Sequence, residues 1–167
     1  TGTPSNTTGI PTVQQGATVW TDIDYTNAID NAKSYINTAN VKSGLLTGTQ
    51  WDTVCAWIQS ETDADGNPIH DVTNSTSWGN YENNNWTIEN TNSKYSTNGT
   101  SWTSGLYNGT GNKGNTSTSI LLSTGADDDF SKQNIYDIAG NVYEWTLEYT
   151  SSTGYQCASR GGRYKDN

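Results

Sequence analysis

A chain of 167 residues suits one domain, and a domain of this size buries roughly two-thirds of its unfolded surface, enough for one real core. With 17 acidic and 8 basic residues its net charge is −9, which excludes nucleic acid and anionic membranes as natural partners and leaves divalent cations as attractive counter-ions. Charged residues at 15% and hydrophobic ones at 31% are both low, but 7 Trp and 10 Tyr exclude a disordered chain.

Residues 1–19 are polar and turn-rich and read as a linker tail, leaving 20–167 as the folded domain. From Trp20 to Asn40 the residues Tyr25, Ala28, Ile29, Ala32 and Ile36 follow the spacing of one helix face, with Asp22 or Asp24 able to cap its start. A second helix is expected from Thr49, with Asp52 three residues on where a capping box carries its acid. Its apolar face is Trp51, Val54, Cys55 and Ile58.

Residues 59–119 lack periodicity. Asp63-Ala64-Asp65-Gly66-Asn67-Pro68 is a turn cluster, and Asn98-Gly99 and Asn108-Gly109 signal tight hairpin turns. Trp78, Tyr81, Trp86, Trp102 and Tyr107 stand in this polar stretch as ring-rich paratopes hold Trp and Tyr among Ser, Gly and Asn. Ile120-Leu121-Leu122 reads as a short buried strand and Asp127-Asp128-Asp129 as a solvated acidic corner. Val142 to Glu148 alternates like a strand, after a tight Ala139-Gly140-Asn141 turn. No stretch has the apolar length of a membrane span.

The run Asn134-Ile135-Tyr136-Asp137-Ile138-Ala139-Gly140-Asn141-Val142-Tyr143-Glu144-Trp145-Thr146 resembles the signature of the formylglycine-generating-enzyme (sulfatase-modifying-factor) family. Arg160-Gly161-Gly162-Arg163-Tyr164 resembles that family's downstream RGG element, and Leu45-Leu46-Thr47-Gly48-Thr49-Gln50-Trp51-Asp52 its helix start. The variants are most similar to non-enzymatic members, the variable proteins of diversity-generating retroelements in phages and gut bacteria. The resemblance covers roughly residues 20–60 and 120–164, and the middle matches nothing. It implies an α+β, C-type-lectin-like fold of two helices on small twisted antiparallel sheets with long loops. The helix and strand patterns agree with α+β independently. Buried Trp20, Trp51, Tyr136 and Trp145 are expected.

The carboxylates Asp137 and Glu144 flank a turn whose carbonyls at Gly140 and Val142 are suited to a hard cation. The resemblance implies calcium on this same set; turn capping by the two acids is the other reading. The Asp63–Asn67 cluster lacks the rest of an EF-hand. His70, the single histidine, has no nucleophile at a readable spacing. Cys55 and Cys157 allow a disulfide or two free thiols, and neither stands where the resemblance puts the reactive cysteines, so no oxidase activity is expected. Asn6, Asn74, Asn85, Asn98, Asn108 and Asn115 head glycosylation sequons, matches that composition alone produces. Two functions remain open. One is an extracellular display domain on a phage or bacterial surface, binding a cell-surface protein or glycan through Trp78, Tyr81, Trp86, Trp102, Tyr107, Arg163 and Tyr164. The other is a homo-oligomeric filament subunit. Relatives carry a further segment after the RGG element, so truncation of a longer binding protein is expected here, with strand donation by a neighbour, or a site rebuilt from the loops between residues 74 and 119, as the other readings.

Overall fold

The computed structural model describes residues 11–114, 116–148 and 157–166. They form an α+β fold of two helices and three small antiparallel sheets. Helix α1 spans Tyr25–Tyr35 and α2 spans Gly48–Gln59. Strands β1 (Lys94–Ser96), β2 (Thr103–Ser104) and β3 (Leu121–Leu122) pair in the order β2-β1-β3. The pairs β4 (Ser131–Lys132) with β5 (Ile135–Tyr136), and β6 (Glu144–Thr146) with β7 (Ala158–Arg160), complete the sheets. Among the described residues no helix is long and apolar enough to cross a membrane.

Asp24 caps α1, its Oδ1 accepting from the Asn27 amide at 2.8 Å. The helix is shorter than its periodic pattern. Asp22 lies at φ +56°, off the helical path, and Ile36 is already extended. On α2 the capping box belongs to Thr47 and Gln50 rather than Thr49 and Asp52. Thr47 Oγ1 accepts from the Gln50 amide at 3.2 Å and Gln50 Oε1 accepts from the Thr47 amide at 2.9 Å. Such a cap is worth about 1 kcal/mol. Thr47 also bridges Leu147 in parallel, and the Leu147 amide reaches the Leu46 carbonyl at 2.7 Å, so the start of α2 is tied to the end of β6. Arg160 on β7 reinforces this joint, donating to Glu148 at 2.6 Å while facing Asp52 at 3.5 Å.

The main core joins rings from the segment without periodicity to the buried run that follows it. Trp86, Ile88, Ile120, Leu122, Ala126 and Phe130 are buried together, with Tyr95, Leu106 and Tyr107 packed around them. Trp86 meets Tyr107 and Phe130 edge-on at 6.0 and 6.4 Å between ring centres, and such pairs add about 0.5–1.5 kcal/mol each beyond burial. Buried Lys113 holds the loop beneath, its ammonium donating to the carbonyls of Tyr81 and Glu82 at 2.6 Å and of Asn84 at 3.0 Å.

Several expectations shift. Asn98-Gly99 does turn the β1–β2 hairpin, whereas Asn108-Gly109 lies in a 3-10 turn, Tyr107–Gly109. The strand expected from Val142 starts at Glu144. Trp51 is buried, Trp20 and Trp145 are half-buried, and Tyr136 is 42% exposed. Tyr136 sits on a hairpin whose outer face is solvated, so its hydroxyl donates to Asp128 at 2.8 Å instead of entering the core. The segment assigned to the tail also contributes to the body. Gly16 and Ala17 pair with Thr124 at 2.8 and 2.9 Å. Residues 1–10 lie outside the described residues.

Candidate functional site

At the centre of the molecule two buried amides join distant parts of the chain. Asn141 Oδ1 accepts from the Leu122 amide at 2.9 Å while its Nδ2 donates to the Leu122 carbonyl at 3.1 Å, so its side chain pairs with β3 as a neighbouring strand would. Asn80 Nδ2 donates to Asn141 Oδ1 at 3.0 Å and to the Ile120 carbonyl at 2.8 Å, and Asn80 Oδ1 accepts from the Trp86 indole at 3.1 Å. Both residues are nearly inaccessible, at 2% and 1%. Gly140 lies at φ +70° with the Asn80 backbone against it. A Cβ there would collide with that backbone, which is why the turn carries glycine.

This clamp fixes the two acids of the turn. Asp137, itself at φ +56°, accepts from the Gly125 amide through Oδ2 at 2.7 Å. Glu144 Oε2 is buried with no hydrogen-bond partner. A Cβ on Gly161 would run into that same carboxyl group, so the RGG glycine is the floor on which Glu144 rests. Burial raises the Asp137 carboxyl above its ordinary value. Burial, with the nearby Asp137 charge, raises Glu144 further. Asp137, Val142 and Glu144 line one mostly apolar cavity of about 320 Å³ with Trp51 and Ile138. Gly140 is outside that lining, behind it on Asn80. Among the described residues no three His, Cys, Asp or Glu side chains converge on a cation position. A metal would have two carboxylates and would take its other ligands from backbone carbonyls. An unpaired buried carboxylate oxygen beside a second carboxylate fits a missing positive charge, because an isolated buried charge is costly.

On the other side of the turn, Arg163, Tyr164 and Lys165 line a cleft of about 370 Å³ with Trp20, Tyr143 and Trp145. The Tyr143 hydroxyl donates to Asp166 at 2.7 Å, and Arg163 holds the same carboxylate at 3.1 Å while its guanidinium lies 5.4 Å over the Tyr143 ring. Trp145 donates from its indole to the Ile23 carbonyl at 3.0 Å. Sequence reasoning named Arg163 and Tyr164 but missed Trp20, Tyr143 and Lys165. The usable signal was Tyr143 at an outward position of the alternating run, where it is 46% exposed.

The loop aromatics do not gather as one surface. Trp86, Tyr81 and Tyr164 are buried, a correction to their expected ligand role, because the rings are taken up by packing and Tyr164 only borders the cleft. Tyr81 shares a 2.6 Å hydrogen bond with Ser75 and donates to the Gly161 carbonyl at 3.1 Å. Trp102 and Tyr107 are half-buried, Tyr107 against Trp86 and Tyr95. Trp78 stands apart, with His70 at 6.4 Å and Lys132 at 5.9 Å. His70 pairs with Glu61 at 3.2 Å. Asp127 caps the turn through Asp129 and accepts from the Glu89 amide at 2.8 Å, and Asp63 closes its own turn through the amides of Asp65 and Asn67. Cys55 and Cys157 are both free, and burial pushes the Cys55 thiol up, towards its protonated form.

No family model matches the chain, and no curated protein or solved structure matches it.

Proposed function

We propose that this chain is a non-catalytic, extracellular ligand-binding domain of C-type-lectin-like fold, displayed on a phage or bacterial surface. The observation that carries the reading is the cleft of Tyr143, Arg163 and Lys165 against Trp20 and Trp145, held on the rigid Asn80–Asn141 clamp. Exposed aromatic and arginine side chains on a fixed support suit recognition of a cell-surface protein or glycan. Replacing Tyr143 and Arg163 together with alanine should weaken retention on intact bacterial or animal cells by about tenfold or more without changing the melting temperature. The reading is lost if the wild-type domain is retained by no cell type, or if the double variant binds as well as wild type.

The same reading includes a calcium ion held by Asp137, Glu144 and the carbonyls of Gly140 and Val142. The unpaired Glu144 Oε2 supports it. The ion would supply the positive charge that the buried acids lack, locking the turn that carries Tyr143. At a hundredfold excess over its dissociation constant calcium would add about 2.7 kcal/mol, a rise of roughly 5–10 °C in melting temperature. In chelator the opposite pH behaviour should appear. Both carboxyls have raised values in the folded state, so the folded chain binds protons that the unfolded chain releases. The contribution of these two groups is fully present below the ordinary carboxylate value of about 4 and is lost as pH rises through the raised values. Glu144→Gln should abolish the calcium response and melt above wild type in chelator at neutral pH. An unchanged melting temperature with calcium sinks the site.

A structural subunit of a surface filament is the second reading. Within the described residues β7 has one paired neighbour, β6, and an unpaired edge can accept a strand from another copy. A concentration-independent monomer in dilute solution would exclude it.

A further inference from the structure

Two concave surfaces meet at one ring. A concavity of about 650 Å³ is walled by Gln14, Thr18, Asn90, Asn92 and Lys94, and Trp20 lines both it and the cleft of Arg163 and Lys165. Lys94, Arg163 and Lys165 are three of the chain's 8 basic residues, and Asp22 is the one carboxylate among the residues lining the two surfaces. Asp166 sits beside them, bound to Arg163 at 3.1 Å. Counting it, three positive charges face two negative ones, a local +1 on a chain of net charge −9. Neither Lys94 nor Lys165 forms an ion pair among the described residues, and the Lys165 ammonium lies 5.3 Å over the Tyr164 ring.

The rest of the lining is amide and hydroxyl, with Asn98, Thr100 and Thr21 on the Arg163 side. That combination matches a particular ligand chemistry. A sugar ring has an apolar C–H face that packs on an aromatic ring, and a rim of hydroxyls that pair with amides and hydroxyls. A nucleic acid is a worse match, because three cations neutralise few phosphates and the rest of the surface repels them. We propose that Trp20 is the central platform of a groove that binds an acidic oligosaccharide, with Lys94 on one side and Lys165 with Arg163 on the other taking anionic groups of flanking sugar units. Unpaired ammonium groups beside a half-enclosed surface attract such groups without first breaking an existing pair. This rests on the reading of the chain as a ligand-binding domain and names its ligand class.

The test is an array of immobilised oligosaccharides in which uronic-acid, sialic-acid and sulfated members each stand beside a neutral counterpart. The wild-type domain should favour acidic members by about tenfold or more, and lose that preference near roughly 0.5 M NaCl, where screening shortens to a few ångströms. The double variant Lys94→Gln/Lys165→Gln, which keeps a long polar side chain at both positions, should lose the acidic preference at unchanged melting temperature. Trp20→Ala should lower retention of every member. Equal binding of acidic and neutral members, silence across the array, or a Gln double variant that keeps the preference overturns the proposal. A silent array with cell binding that still depends on Tyr143 and Arg163 removes only the sugar. Loss of both removes the ligand-binding reading as well.

Discussion

Asn141→Ala is expected to cost about 3–6 kcal/mol and leave little folded protein at 37 °C. The change strips partners from the Leu122 amide, the Leu122 carbonyl and the Asn80 amide at once, and each buried group left unpaired costs about 1–3 kcal/mol. A domain has only about 5–15 kcal/mol in total. Asn141→Asp separates this account from simple loss of volume. It keeps the shape but turns the Nδ2 donor into an oxygen facing the Leu122 carbonyl, so it should be nearly as damaging at neutral pH and partly restored in acid, where the protonated carboxyl can donate. Denaturant unfolding followed by circular dichroism measures both. An alanine variant within about 1 kcal/mol of wild type, the spread of ordinary substitutions, would show that the amide pair is incidental.

Trp51→Ala should remove about 3–5 kcal/mol, the usual cost of emptying a buried large aromatic site. Trp51 is 8% exposed on α2 and lines two small cavities, one with the Glu144 carboxylate and one with Gly161. The void it leaves would join them, so Trp51→Ala should also weaken the calcium response, an effect that Ile58→Ala, buried on the same helix but away from the acids, should not produce. Thermal melts of both variants with calcium and with chelator check the comparison. Equal calcium responses would mean that Trp51 supports the helix alone.

The helices were legible because their periodicity and caps are local. Sequence left the α1 cap open between Asp22 and Asp24, and Asp24 takes it; on α2 both Thr47 and Thr49 precede a polar residue by three positions, and only the longer Gln50 side chain reaches back to close the box. The Asp137–Glu144 turn was legible from a short run whose acids and glycine serve one local geometry. Lys113 was not, because its three carbonyl partners come from a loop about thirty residues upstream. Asn80 was hidden for the same reason, as one Asn among many in a polar stretch. The β4–β5 hairpin turns on Gln133 and Asn134 at φ +49° and +63°. Gln rarely adopts that backbone, so no turn signal marked it; Gln133 is held by donating to the Trp57 and Ile58 carbonyls at the end of α2. The loop aromatics were misjudged because a ring in a polar stretch looks the same whether it anchors the loop or faces a ligand.

The Asn80–Asn141 clamp joins residues 61 apart in the chain, and β1 pairs with β3 across more than twenty residues. More than half of the contacts in the fold are between distant segments, so the chain must gather several of them before any one is rewarded. Refolding should be slow, in the range of milliseconds to seconds typical of high contact order. The same topology concentrates structural constraint in a few nodes. Lengthening the connections between nodes costs little, since each doubling of a loop adds only about 0.6 kcal/mol. Such an architecture tolerates drift and insertion in its loops while holding a fixed frame, so the surface can change widely in sequence without loss of the fold.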